Sequence, residues 1–262
     1  RQEARVFQPR HLISVGDGAR VEVIERYLGI DESLYCTNTV LEIRLGNGAE
    51  LDHQRIQLES SAAFHIAGLY LQQTAGSRYR GVNLGLGARW ARTDIRTTLL
   101  ENGAVCDLQG LYLAGDGQLI DYHLDVDHRA PGCTSVERFK GLVFGKGKAV
   151  FDGRVFVAKD AQKTDARMTN RNLLLSRGAE VNTKPQLEIL ADDVKCSHGT
   201  TVGQLDPDAL FYLRARGIPL TQARRMLSMG FAGEILDQIT DLRLRETLAE
   251  LVGARLELAP AD

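Results

Sequence analysis

From Val6 to Val202 the chain alternates apolar and polar residues in short runs, each broken by a small turn centred on glycine. The unit is apolar-x-apolar, one or two turn residues, Gly, then apolar alternation again. It recurs at ISVGDGARVEVIERYL from Ile13, IRLGNGAELDHQRIQL from Ile43, LLENGAVCDLQGLYL from Leu99, LYLAGDGQLIDYHLDV from Leu111, LVFGKGKAVFDGRVFV from Leu142 and LLLSRGAEVNTKPQLEI from Leu173. The central glycines, Gly18, Gly48, Gly103, Gly117, Gly147 and Gly178, fall at intervals near 15 or 30 residues except for the 55 from Gly48 to Gly103. A two-residue period places one apolar face on each strand. Strands this short cannot bury that face alone, but stacked as successive coils they share one core and pair their edges. An antiparallel sandwich would show the same spacing, so periodicity by itself leaves the two open.

The pattern changes at Asp206. Asp206 followed by Pro207 predicts a helix N-cap with proline in the first turn, and Gly217 after Arg216 predicts its end. Pro219 opens a second helix with Ala223, Leu227, Phe231, Ile235 and Ile239 as its apolar ridge. Gly230 and Gly233 inside it predict close approach by another backbone, since glycine otherwise weakens a helix. Asp241 caps a third, with Leu244, Leu248, Leu251, Val252 and Leu256 on one face. The expected division is a strand-built core over residues 1–204 and a small helical unit over 205–262, joined at one end and removable without loss of the core.

Composition narrows the functional classes. A formal net charge of −2 with 44% hydrophobic residues speaks against disorder and against a basic nucleic-acid surface. Cys36, Cys106, Cys133 and Cys196 are scattered with no C-x-x-C pair, which argues against a zinc knuckle or a disulfide framework and for a reducing, cytoplasmic setting. No apolar run reaches the length needed to span a bilayer. The chain opens on Arg1 rather than Met, as expected of a fragment. Neither a phosphate-binding glycine loop nor a G-x-S-x-G elbow is present, so any nucleotide hydrolysis is expected of a partner.

The candidate chemistry lies just before the change of pattern, in Lys195-Cys196-Ser197-His198. Cys196 and His198 stand two apart, so on a strand they share a face and offer a thiol and an imidazole together, although a core thiol and a surface histidine explain the same spacing. Asp121, His123, Asp125 and Asp127 also alternate, but Tyr122, Leu124 and Val126 between them make an ordinary half-buried strand the better reading. His53 and His65 sit among apolar residues with no nearby carboxylate motif.

The stretches DGRVFVAKDAQKTDARMTNRNLLLSRGAEVNTKPQLEILADDVKCSHGTTVG and LFYLRARGI resemble the SufB/SufD family, the scaffold subunits of SUF iron-sulfur cluster assembly, and their likeness is greatest to the SufD branch. SufB carries a Glu-His-Glu type run where Lys195 to His198 stand, and its cluster-linked cysteine falls near Ala179; both departures favour SufD. The resemblance implies a mainly β fold, a right-handed parallel β-helix with a small C-terminal α-helical domain, and an amino-terminal segment of the kind family members usually carry. It implies a non-catalytic subunit that pairs with a SufB-like paralogue and docks a SufC-like ABC ATPase on the helices, through Phe211, Tyr212, Arg216, Gly217 and Phe231. His198 first and Cys196 second are the implied ligands of a transient iron-sulfur cluster shared with the partner, none being bound by the isolated chain. Lys195 is expected to help lower the Cys196 thiol pKa.

Two other readings of the residues remain: a β-solenoid enzyme, acyl or sugar modifying, with His198 as general base, and a purely structural homodimer. The helical tail disfavours the first.

Overall fold

The chain folds as a parallel β-solenoid of two facing sheets, described by a computed structural model over residues 5–30 and 32–257. The outer limits of the sequence-based division, residues 1–4 and 258–262, lie outside the described residues.

The first sheet contains β1 (Arg5–Phe7), β2 (Arg10–Val15), β4 (Tyr35–Leu45), β6 (Phe64–Gln73), β8 (Trp90–Leu99), β10 (Leu119–His128), β12 (Lys148–Val157) and β14 (Glu180–Ile189). The second contains β3 (Arg20–Leu28), β5 (Glu50–Leu58), β7 (Arg78–Gly85), β9 (Val105–Ala114), β11 (Thr134–Val143), β13 (Asp165–Leu174) and β15 (Lys195–Gly203). From β3 onward the chain alternates between sheets, so each strand inside a sheet pairs in parallel with the strands two before and two after it, and β3, β14 and β15 pair on one side only. The 15-residue interval is one strand and turn, and the 30-residue interval is one coil. The parallel registers exclude the sandwich.

The turns stack as well as the strands. Gly18 N donates to Asn47 O, Gly48 N to Ala75 O and Gly76 N to Asn102 O, at 2.8, 2.8 and 2.9 Å. Gly18 and Gly48 have φ near +65°, where a side chain would be strained. Gly147 serves a different need: a Cβ there would lie 2.3 Å from Ala114 O of the neighbouring coil.

Inside, one apolar cluster runs along the solenoid, from Ile43 and Leu71 through Tyr79, Tyr112 and Phe139 to Phe151 and Met168. Tyr112, Tyr122, Phe139 and Phe151 stack in sequence with ring centroids 5.2 to 5.8 Å apart. Glycines opposite make room: a Cβ on Gly110 would lie 2.2 Å from the Phe139 ring.

The tail forms α1 (Pro207–Ala215), α2 (Leu220–Leu236) and α3 (Leu242–Glu257). The predicted caps hold: the Asp206 carboxylate accepts from Asp208 N at 2.9 Å, Asp241 accepts from Leu244 N at 2.8 Å, and Gly217 has φ +83°. The glycine expectation fails, because no atom comes within 4 Å of a Cβ placed on Gly230 or Gly233.

The helices are not a unit hung from one end. Helix α2 lies along the outer face of the second sheet with α3 packed against it, and Ala232, Ile235, Leu236, Ile239, Leu248, Val252 and Leu256 form one buried cluster with Ile56, Val82, Leu84, Leu111, Leu113 and Leu142 of successive coils. Polar fasteners follow the same line. Arg224 donates to Leu175 O, Lys140 to Phe231 O, Arg80 to Gln238 O, and Gln54 to Thr240. One helix and the turn after it thus span coils from β13 to β5.

Lys140 is the most enclosed of these fasteners. Its Nζ lies 3.0 Å from Phe231 O, 2.6 Å from Glu234 Oε2 and 4.2 Å above the Phe231 ring centroid. Burial pulls its pKa below the usual lysine range, against the Glu234 carboxylate. Lys140→Ala is expected to destabilise the protein by about 1–3 kcal/mol in denaturant unfolding, the usual cost of stripping a buried charged hydrogen-bond partner.

Candidate functional site at the carboxyl end of the solenoid

The last coil places the Cys-Ser-His triplet. Strand β15 pairs with β13 on one side only, in the register Ala166↔Cys196, Met168↔His198 and Asn170↔Thr200. Ala166, Met168 and Asn170 are buried inward-facing residues of β13. In-register neighbours in a parallel sheet share a face, so Cys196, His198 and Thr200 are the inward side chains of a rung with no described coil above it. The shared face predicted from the spacing is therefore present, and it lies at the open end.

The two side chains differ in setting. Cys196 is half-buried against the core, while His198 is exposed and makes no side-chain hydrogen bond among the described residues. Burial raises the Cys196 thiol above the usual range, and the Asp165 and Glu137 carboxylates add to that rise. This corrects the expected help from Lys195, which is exposed and is not among the causes of the shift. Among the described residues, no group of three His, Cys, Asp or Glu comes together to hold a metal ion.

Directly beneath lies a carboxyl that sequence reasoning passed over. Glu137 occupies the rung below Met168, and Ser135 the rung below Ala166. Glu137 is 0% exposed, neither carboxyl oxygen has a hydrogen-bond partner, and burial raises its pKa to about 8. Ser135 Oγ lies 3.0 Å from His128 Nε2, and burial lowers His128 to about 4. Both Glu137 and His128 are thus neutral at pH 7. A lone Glu in the alternating run TSVERFKGLV was the available signal, since its even spacing from Ser135 and Phe139 puts it on the buried face.

The other candidates resolve differently. Asp121, His123, Asp125 and Asp127 face outward into ion pairs: Asp121 with Arg92 at 3.2 Å and His123 at 2.8 Å, Asp125 with Arg154 at 2.9 Å, and Asp127 with Arg129. His53 and His65 are buried core histidines, in keeping with their apolar neighbours, but each has a carboxylate partner that the sequence did not suggest. His65 Nδ1 lies 2.6 Å from Glu59 and His53 Nε2 lies 3.4 Å from Glu25, with Arg55 between the two histidines and 3.2 Å from Glu25. The desolvated Glu25 carboxylate is still held down at about 2, because His53, Arg55 and Tyr27 all stabilise its charge. Glu25 and Tyr27 come from β3 and His53 and Arg55 from β5, so sequence distance hid this half of the network.

On the tail, Phe211 is 75% and Tyr212 56% exposed, Arg216 stacks 3.9 Å over the Tyr212 ring, and Gly217 is exposed beside them. Phe231 does not join this surface, being half-buried against Lys140. No described helix is long and apolar enough to cross a membrane.

Residues 1–231 match the family model described as SUF system FeS cluster assembly, SufBD core domain. The chain is 40% identical over 258 residues to an iron-sulfur cluster assembly SufBD family protein of Synechocystis, covering 95% of this chain and 57% of that one. It is 34% identical over 255 residues to the iron-sulfur cluster assembly protein SufD of Escherichia coli, covering 97% and 60%. It is 37% identical over 243 residues to the chloroplastic protein ABCI7 of Arabidopsis thaliana, covering 92% and 51%. The chain therefore spans between half and two thirds of the length of these relatives. The stacked parallel coils, the helices beside them and these matches together make the chain a SufD-like member of the SufBD family of SUF iron-sulfur cluster assembly.

Proposed function

We propose that this chain is a non-catalytic scaffold subunit that completes an iron-sulfur assembly site only when its open end meets a partner. The observation that carries this reading is the position of Cys196 and His198 on the last inward-facing rung, where two donors are too few for a cluster and the strand edge is unpaired. An unpaired edge is a template for another strand. Pro185 blunts the edge of β14, leaving β15 as the strand with all its backbone donors intact.

The partner that fits is a SufB-like paralogue, whose own terminal coil would stack on this rung and supply the remaining ligands. His198, accessible and unpartnered, is the first iron ligand or proton-handling group; Cys196 is secondary, because its raised pKa keeps it a thiol until cargo or partner changes its surroundings. The cluster is the cargo of the assembly. A SufC-like ATPase would dock on the exposed Phe211, Tyr212, Arg216 and Gly217 surface of α1. The enzyme reading requires a polar group to orient His198, and among the described residues none reaches it.

Co-purification with SufB-like and SufC-like proteins, followed by iron and sulfide analysis, tests this. His198→Ala is expected to leave complex yield unchanged and to lower recovered iron and sulfide severalfold, with Cys196→Ser less affected. Full cluster content in the His198 variant at equal complex yield would return this histidine to a surface role. A stable homodimer that excludes the SufB-like protein would favour the structural reading.

A further inference from the structure

We propose that Glu137 is a positioning residue for cationic cargo: a buried carboxylic acid that gives up its proton when a divalent cation arrives at Cys196 and His198. This rests on the reading of those two residues as ligands, and adds to it the group that balances the charge.

Glu137 lies two rungs beneath the open end, roughly 10 Å below at the ordinary spacing of paired strands. One rung, Ala166 and Met168, separates it from Cys196 and His198. Neither separating side chain is charged. The interior there excludes water, with Phe139, Phe151 and Met168 buried beside Ser135, His128 and Asn170. A charge placed above is therefore felt more strongly below than it would be through water.

The titratable groups around Glu137 are Cys106 and Asp107 of β9, Cys196 of β15, and His128 of β10 through Ser135. Burial dominates its shift and Asp107 adds to it; the Ser135 hydroxyl and the Glu137 backbone oppose it, and no cation is among the groups that do. A buried acid without a cationic partner is costly to ionise, and an incoming dication is the counter-charge it lacks. The exchange balances: the dication enters, the Glu137 O–H bond breaks, and one proton leaves to solvent. By reciprocity, the ionised carboxylate strengthens cation binding only where pH allows the proton to leave.

The probe is Co2+ added to the purified complex of this chain with its SufB-like partner, with affinity measured by titration calorimetry in buffers of different ionisation enthalpy, for wild type, Glu137→Gln and His198→Ala. Wild type is expected to release about one proton per cation near pH 7.5, beyond any released by direct ligands, and Glu137→Gln to bind about tenfold more weakly there yet within about twofold near pH 5.5. The pH dependence separates charge compensation from a packing defect, which would weaken binding at both values. Equal affinity and equal proton release in Glu137→Gln, with binding lost in His198→Ala, would overturn the proposal while leaving the ligand reading intact. Co2+ binding undiminished in His198→Ala, or no binding by wild type, would overturn both.

Discussion

Deleting residues 204–262 is expected to leave a chain that aggregates and loses its cooperative melt, although the solenoid contains every strand. The helices cover Ile56, Val82, Leu84, Leu86, Leu111, Leu113, Leu142 and Leu175, all at or below 6% exposure. At about 1.5–3 kcal/mol per large apolar side chain returned to water, that stripe amounts to on the order of 10 kcal/mol or more. Whole domains are stable by only about 5–15 kcal/mol. Circular dichroism melts and sedimentation of the truncated chain decide it. A monomeric product melting cooperatively within a few degrees of the parent would mean that the helices merely decorate the sheet.

Glu137→Gln is expected to stabilise the protein above neutral pH by an amount that grows with pH. The folded-state pKa of about 8 stands above the ordinary glutamate value of 4.5, so the native state binds more protons than the unfolded chain between these values. Stability therefore falls as pH rises through that window, at about 1.4 kcal/mol per unit, and the wild type is expected to lose on the order of 4 kcal/mol relative to the Gln variant between about pH 5 and 8. The opposite limb belongs to His128. Its pKa is lowered to about 4, so its contribution is lost as pH falls from the ordinary histidine value toward 4. Urea midpoints of both proteins across pH 5 to 8 measure the difference. Parallel curves for wild type and variant would show that Glu137 is not the group that titrates.

The helical tail braces the solenoid along its length. The line of contacts from Arg224–Leu175 O to Gln54–Thr240 ties α2 and the residues after it to coils that are otherwise joined only to their neighbours. Solenoids are quasi-one-dimensional, so a bridge across several coils adds cooperativity that nearest-neighbour stacking lacks.

The sequence by itself determined the elements that depend on local chemistry. Two-residue alternation with glycine turns specified strands and coil length, Asp206, Gly217 and Asp241 specified helix limits, and the two-residue spacing put Cys196 and His198 on one face. Resemblance, rather than periodicity, chose the parallel solenoid over a sandwich, because alternation records burial and not strand direction. Only the tertiary structure decided what lies across coils. Residues near 30 positions apart become neighbours through register alone, so Glu25 meets His53, and Glu137 sits beneath Met168 and His198, without any local signal. The placement of the helices was hidden for the same reason. The outward leucines of β5 to β11 read as the exposed half of an alternating strand until α2, with α3 packed against it, covers them, and an apolar ridge on a helix shows that it packs without showing against what.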